Sequence, residues 1–257
     1  GGAFGSGEEK KEYPLQDATG IKLPRSFLRK TELEQKQAII QANAPQKLLQ
    51  AIVYSPHIAV RKHALEKLED KHLLSQVATA LSYWAICEDE QNVSLAALAV
   101  EKITDEQILA KLATTFGITN ALKLAAVTKI HDQSLLREVY RHSTDVYVQA
   151  SIIARTTDQE LLLSVAKNWQ CSDLGRCEAI KRIDCQDVLA EIVSKGRDFS
   201  PEYPLLSALR RLKDSARLAE GAEHAEDIAI RKAAREMLHG GRGLGRQKAQ
   251  AKANEAL

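Results

Sequence analysis

The residues with the clearest chemical potential are basic side chains that recur along the chain at spacings of 35, 27, 26, 27 and 29 residues. We call them the basic ladder, and it consists of Lys67, Lys102, Lys129, Arg155, Arg182 and Arg211. With 36 Lys and Arg among 257 residues, chance seldom places a basic residue at six such positions. A column of this kind binds phosphates or acidic side chains, or it pairs with charges and dipoles of the protein itself.

The sequence alone allows both interpretations of the basic ladder. In the structural one, each basic residue lies at the margin of a buried helix face and in the last helical turn. There a cation complements the negative helix end and can pair with a nearby Asp. In the functional one, the ladder is a basic stripe along one edge of the molecule. Mixed charges on neighbouring helices and the lack of interleaved aromatic residues favour the structural interpretation.

A second set of recurring residues, three positions after each ladder residue, indicates which helices carry the ladder. We call its members the anchor residues, and they are Asp70, Asp105, Asp132, Asp158, Cys185 and Asp214. Mostly apolar residues stand two, five and six positions before each anchor, which keeps them on one face of a helix. Aliphatic pairs follow three to four and seven to eight positions after it. Because Asp is a preferred N-cap residue, the pattern predicts two short antiparallel helices with the anchor between them.

A repeat of this length and chemistry resembles the short HEAT-like repeats of α-solenoid proteins, over roughly Glu32 to Leu238. The resemblance implies an all-α fold, a superhelical α-solenoid of about seven to eight stacked two-helix repeats. It also implies a concave face formed by the second helix of each repeat. We predict one HEAT-like repeat domain over residues 31–239. We interpret the long first spacing as an insertion at Ser82–Asn92, which includes Trp84.

The two ends of the chain differ from the repeat in composition. We predict that residues 1–30 are a disordered or extended segment that could pack as a cap over the first repeat. Residues 240–257 are predicted to be a flexible basic tail, or the start of a longer helix. This tail adds the cations Arg242, Arg246, Lys248 and Lys252.

The sequence contains few signs of catalytic or metal chemistry. The four cysteines, Cys87, Cys171, Cys177 and Cys185, lack the spacing of a zinc site, and we interpret them as partly buried thiols in a reducing cytoplasm. His72 and His131 have no plausible triad or metal partner by spacing. We therefore expect no cofactor, no metal and no enzymatic activity.

One enzyme class with HEAT-like repeats, the alkylpurine DNA glycosylases, uses aromatic residues on a concave surface. Here the aromatic residues Trp84, Trp169, Tyr140 and Tyr147 are few and lie mainly at the ends of repeats. Capping and core packing explain them more simply. The absence of an apolar run of transmembrane length leads us to expect a cytoplasmic protein with no membrane contact.

The function predicted from these features is that of a scaffold or adaptor that binds an extended protein partner. The basic residues expected to contact it on second helices are Lys111, Arg137, Arg141 and Lys167, and the expected aromatic contacts are Tyr140 and Trp169. One alternative is a nucleic-acid-binding solenoid that uses the basic ladder and the C-terminal tail. Another is a helical-repeat module of a longer bacterial protein.

Overall fold

A computed structural model of the protein describes residues 19–83, 89–196 and 204–240. In these ranges the secondary structure is helical, with an isolated bridge between Tyr83 and Ile118 and no β-strand. This confirms the prediction of an all-α fold built as a repeat-like array of helices. Trp84, Cys87 and the tail cations after residue 240 lie outside the described residues, as do residues 1–18 of the predicted N-terminal segment.

The first compact unit comprises residues 1–143. After a short helix α1, its helices follow one another in pairs, a first and a second helix in each. They are α1 (Arg25–Leu28), α2 (Glu32–Gln41), α3 (Pro45–Tyr54), α4 (Ile58–Lys67), α5 (Lys71–Leu81), α6 (Glu90–Lys102), α7 (Glu106–Ala113), α8 (Asn120–Val127) and α9 (Gln133–His142). The first helices α2, α4, α6 and α8 pack successively on one another, and so do the second helices α3, α5, α7 and α9. The second helices α3, α5 and α7 also pack against the first helix that follows each of them, so the unit has two helical layers.

The second compact unit comprises residues 144–257 and repeats this arrangement. Its helices are α10 (Val146–Arg155), α11 (Gln159–Lys167), α12 (Asp173–Lys181), α13 (Gln186–Lys195), α14 (Pro204–Arg211) and α15 (Ser215–His224), and residues 228–240 are also helical. The first helices α10, α12 and α14 pack successively, and the second helices α11 and α13 each pack against the first helix that follows. The helices thus group into two compact units, and one repeat domain over residues 31–239 stays a prediction.

The apolar columns before the anchors form the core, as the helical periodicity predicted. The column two positions before the anchors is buried at Leu68, Ile103, Ile130, Thr156, Ile183 and Leu212. The column five positions before is buried at Leu65, Val100, Val127, Ile153, Ile180 and Leu209. The small-residue column is buried at Ala64, Ala99, Ala126, Ile152, Ala179 and Ala208. Burial of these side chains is the main force that holds each helix against its neighbours.

The anchor aspartates are N-caps of the second helices, which confirms the capping prediction. The Asp105 carboxylate, for example, accepts hydrogen bonds from Gln107 N at 2.9 Å and Ile108 N at 3.2 Å. Asp70, Asp132, Asp158 and Asp214 cap their helices in the same way. The anchor Cys185 also occupies the N-cap position, but its side chain makes no capping hydrogen bond.

The first helix pair, α2 and α3, has no anchor aspartate. Pro45 is the first helical residue of α3, and Ala44 is its N-cap and makes no side-chain capping bond. Proline is favoured there because its missing N–H would have no intrahelical partner. Just before this pair, Ile21 is buried and its carbonyl accepts a 2.6 Å hydrogen bond from Tyr54 Oη. The described part of the N-terminal segment thus packs onto α3.

Candidate partner-binding surfaces

The basic ladder in the first unit contacts backbone carbonyls of the preceding repeat. The Lys67 ammonium donates hydrogen bonds to Ile39 O, Ile40 O and Ala42 O at 2.8, 2.9 and 3.3 Å. These carbonyls lie at the end of α2, where the last C=O groups of a helix lack intrahelical partners. Lys67 therefore supplies hydrogen-bond donors to the C-terminal carbonyls of the preceding first helix.

The next two ladder lysines repeat this contact one and two pairs further along. The Lys102 ammonium donates to carbonyls at the end of α4, those of Leu65 at 2.7 Å and Glu66 at 2.8 Å. The Lys129 ammonium donates to carbonyls at the end of α6, those of Val100, Glu101 and Ile103, at 2.8, 2.6 and 2.6 Å. Burial lowers the pKa of both ammonium groups, and nearby glutamates oppose that shift.

Arginine makes the same contact in the second unit. Arg182 Nη1 donates to Ile153 O at 2.9 Å and to Thr156 O, at the end of α10. Arg211 Nη2 donates to Ile183 O at 2.9 Å and forms an ion pair of 2.8 Å with Asp184. Arg155, at the end of α10, is half-buried.

The sequence analysis allowed ladder residues to pair with a nearby Asp. Arg211 does so with Asp184, but the ladder lysines in the described part of the first unit do not. Among the described residues, the partners of Lys67, Lys102 and Lys129 are backbone carbonyls, and no anchor carboxylate is among them. The anchor carboxylates accept instead from the amides of their own helices, and the cations serve the negative end of another helix.

A second set of links between neighbouring pairs was missed from the sequence. It starts from the first residue of a second helix, directly after the anchor. The Lys71 ammonium reaches the Asp105 carboxylate at 2.5 Å, which together with capping bonds lowers the pKa of Asp105. Glu106 Oε2 accepts from His131 N at 2.9 Å and from Asp132 N at 2.8 Å. These two backbone hydrogen bonds are the main cause of the lowered pKa of Glu106.

Gln186 makes the equivalent link in the second unit. Its Nε2 donates to Arg211 O at 3.2 Å, and its Oε1 accepts from Lys213 N at 2.8 Å. In the sequence, these links are marked by a long polar residue directly after the anchor, as at Lys71, Glu106 and Gln186. A side chain of that length reaches the next helix–helix connection.

Two buried arginines donate hydrogen bonds to backbone carbonyls near the C-terminal ends of second helices. Arg61 Nε donates to Ile52 O at 2.6 Å, and Arg176 Nε donates to Ala166 O at 3.5 Å. Both arginines stand nine positions before an anchor. Their side chains are almost fully buried, with 5% and 2% exposed, and burial lowers the pKa of Arg61. They are structural cations within the helical array.

The predicted partner-binding residues of the first unit differ in their surroundings. Lys111 on α7 and Arg141 on α9 are exposed, whereas Arg137 and Tyr140 are half-buried. Lys111 lines a cleft between the second helices α5 and α7. Their role in binding stays a prediction.

In the second unit, the structure gives Lys167 an internal partner. Its ammonium lies 2.7 Å from Glu191 Oε2 on the adjacent second helix α13, and this contact lowers the pKa of Glu191. Trp169 lies in the connection between α11 and α12 with 50% of its surface exposed. Lys167 thus links two second helices, and Trp169 is the more accessible member of the predicted set.

The cleft on the second helices of the first unit has a volume of about 400 Å³. Its walls are rich in hydroxyl groups. The lining residues are Thr19, His72, Ser75, Gln76, Thr79, Ala80, Tyr83, Ile108, Lys111 and Thr115. We call it the α5–α7 cleft. None of the described residues that line it is an Asp or Glu.

A solvent-facing aromatic residue lies next to this cleft in the chain. Phe116, in the connection between α7 and α8, has 96% of its surface exposed. Thr115 before it lines the cleft, and a Cβ added to Gly117 after it would stand 3.0 Å from the ring of Tyr83, another lining residue. Phe116 was not among the contact residues predicted from the sequence. The signal was an aromatic residue followed by a glycine in a connection, and Gly117 has a positive φ of 86°.

Metal and membrane chemistry find no support in the described residues. No group of three or more His, Cys, Asp or Glu side chains in residues 19–83, 89–196 and 204–240 could hold a metal ion. Cys171 and Cys177 are half-buried, and Cys185 is exposed. No helix within the described ranges is both long enough and apolar enough to span a bilayer.

Comparison of the sequence with protein-family models, with curated proteins and with solved structures finds no match. The geometry of the described residues is therefore the basis for assigning a function.

Proposed function

We propose that this protein is a HEAT-like α-solenoid of about seven to eight repeats that acts as a non-enzymatic scaffold. In this proposal an extended segment of a partner protein lies along the surface of the second helices. The observation that carries the proposal is the α5–α7 cleft, an open groove between two successive second helices.

The chemistry of the cleft suits a polypeptide better than a small apolar ligand. Side-chain hydroxyls and amides, as at Ser75, Gln76 and Thr79, provide donors and acceptors for a peptide backbone. Ile108 and Tyr83 add apolar surface. Helical-repeat proteins use extended surfaces of this kind to bind extended partners.

The nucleic-acid alternative has less support, because the ladder has other contacts. The cations of Lys67, Lys102, Lys129, Arg182 and Arg211 already donate to backbone carbonyls of the preceding repeat. A phosphate would have to compete with these hydrogen bonds. The alternatives of a nucleic-acid binder and of a module within a longer bacterial protein stay hypotheses.

Selection from a phage library of random twelve-residue peptides tests the proposal. We expect peptides to be enriched on the wild-type protein and lost on Gln76→Trp, because the indole fills the cleft. Gln76 is exposed, so the substitution should leave the fold intact. Circular dichroism checks this. The matched control is Lys62→Trp, an exposed position on the first helix α4.

Two results would contradict the proposal. One is the absence of any enriched peptide on the wild-type protein. The other is tight, salt-dependent binding of a labelled single-stranded RNA that is weakened by Lys129→Met, since this would move the function to the ladder.

A further inference from the structure

The α5–α7 cleft is lined by an exposed cation, Lys111. Lys111 is exposed, and among the described residues its ammonium has no hydrogen-bond or ion-pair partner. The acidic residues at the starts of the two helices have other contacts. Asp70 caps α5, Asp105 caps α7 and pairs with Lys71, and Glu106 accepts from the next connection. Within residues 19–83, 89–196 and 204–240, the cleft therefore presents a positive charge with no carboxylate paired to it.

The hydroxyls beside this cation are already donors to the protein. Thr79 Oγ1 donates to Ser75 O at 2.9 Å, and Thr115 Oγ1 donates to Lys111 O at 2.8 Å. A hydroxyl that donates its only hydrogen to a helix keeps its lone pairs as acceptors. These two oxygens are thus suited to accept from backbone N–H groups of a bound peptide.

Phe116 directly follows the lining residue Thr115 in the chain. The connection that carries it is held in place, because Ile118 forms a backbone bridge with Tyr83. Phe116 keeps 96% of its surface exposed on this connection, so its ring offers apolar area that a partner could cover. An apolar side chain of a partner bound in the cleft would cover it.

We propose that the α5–α7 cleft binds an acidic peptide segment, with an Asp or Glu paired to Lys111 and an adjacent apolar residue packed on Phe116. This inference rests on the proposed function and names the chemistry of the partner. The charge complementarity commits the site to a carboxylate-bearing polypeptide. The hydroxyl acceptors hold its backbone.

Charge reversal in the peptide selection tests this inference. On the wild-type protein we expect enriched peptides with an excess of Asp and Glu next to an apolar residue. On Lys111→Glu the excess should change to Lys and Arg. Lys62→Glu, on the exposed surface of α4 outside the cleft, should leave the selected sequences unchanged.

Affinity measurements test the pairing of a peptide carboxylate with Lys111 quantitatively. For an enriched peptide and its Glu→Gln analogue, we expect the acidic form to bind the wild-type protein about two- to fivefold more tightly, as for one exposed ion pair. That ratio should fall to about one on Lys111→Met. Phe116→Ser should weaken both peptides equally. Lys111 and Phe116 are surface residues, so these variants should fold normally.

The outcomes separate the inference from the proposed function. Enriched peptides without acidic residues, or a preference retained on Lys111→Met, would overturn the inference while leaving the scaffold function intact. Failure to enrich any peptide would overturn both. Tighter binding of a labelled RNA strand than of the peptides would identify a different occupant and also overturn the inference.

Discussion

A lysine ammonium has three N–H donors and no acceptor, and Lys67 uses them on three carbonyl oxygens at one helix end. Those carbonyls are the ones that an α-helix leaves without internal partners. The cation also complements the negative end of the helix dipole. An Arg does the same at position 182, where the guanidinium reaches the end of α10.

The anchor residues show the complementary chemistry at helix starts. A carboxylate accepts the first amides of its own helix, and Asp132 does so from Leu135 N at 3.0 Å. The anchor Cys185 lacks this bond, because a thiol is a poor acceptor.

This difference predicts that Cys185→Asn stabilises the protein. The Asn side chain supplies the missing acceptor without adding charge beside Asp184 and Asp187. We expect the free energy of unfolding to rise by about 0.5–1 kcal/mol. Urea unfolding followed by circular dichroism measures it. Cys185→Ala is the control and should have little effect. A stability of Cys185→Asn at or below that of Cys185→Ala would contradict the capping argument.

Residue types in the sequence were enough to predict burial and capping, but not the partners of the ladder. The columns that contain Ala99 and Val100 follow from helical periodicity alone, and Asp is a recognisable cap. The partners of Lys67 are backbone carbonyls. Every residue has a carbonyl, so no residue type at positions 39, 40 or 42 marks these partners. The pairing with an Asp that the sequence allowed is present at Arg211 but, within the described ranges, not at Lys67.

At the scale of elements, one second helix is tied to the next connection through its first residue. Glu106 at the start of α7 accepts two backbone amides of the connection between α8 and α9, those of His131 and Asp132. This contact could not be predicted from the sequence, because it depends on the distance between neighbouring connections. The α5–α7 cleft was missed for the same reason, since it exists only between two packed helices.

The Glu106 link predicts a pH dependence of stability. Its pKa is lowered in the folded protein from an ordinary value of 4.5, so the ionised carboxylate stabilises the fold above that value. The contribution is lost as pH falls below 4.5 through the folded-state pKa. At pH 7 we expect Glu106→Gln to lower the free energy of unfolding by about 0.5–1.5 kcal/mol.

Urea unfolding at pH 7 and pH 3 tests this prediction. The difference between the wild-type protein and Glu106→Gln should shrink as the pH falls below 4.5 through the lowered folded-state pKa, because protonation removes the charge of the wild-type carboxylate. Glu66→Gln, at an exposed position on α4, is the control and should show a smaller difference at pH 7. A difference for Glu106→Gln that is the same at both pH values would show that the carboxylate charge has no role.

At the scale of the whole molecule, each helix packs on the helices adjacent to it in its own compact unit. The stability of such an array is approximately a sum of repeat and interface contributions. Buried aliphatic columns pack the first helices, and ladder residues add charged contacts at or just after the ends of α2, α4, α6, α10 and α12.

The most direct test of this account is the urea unfolding of Lys67→Met beside Lys62→Met. Both lysines lie on α4, but Lys67 donates to three carbonyls of the preceding repeat and Lys62 is exposed. We predict that Lys67→Met lowers the free energy of unfolding by about 1–2 kcal/mol, because it leaves those carbonyls without their charged donor. Lys62→Met should change it by less than about 0.5 kcal/mol. Equal stability of the two variants would contradict the claim that the basic ladder holds neighbouring repeats together.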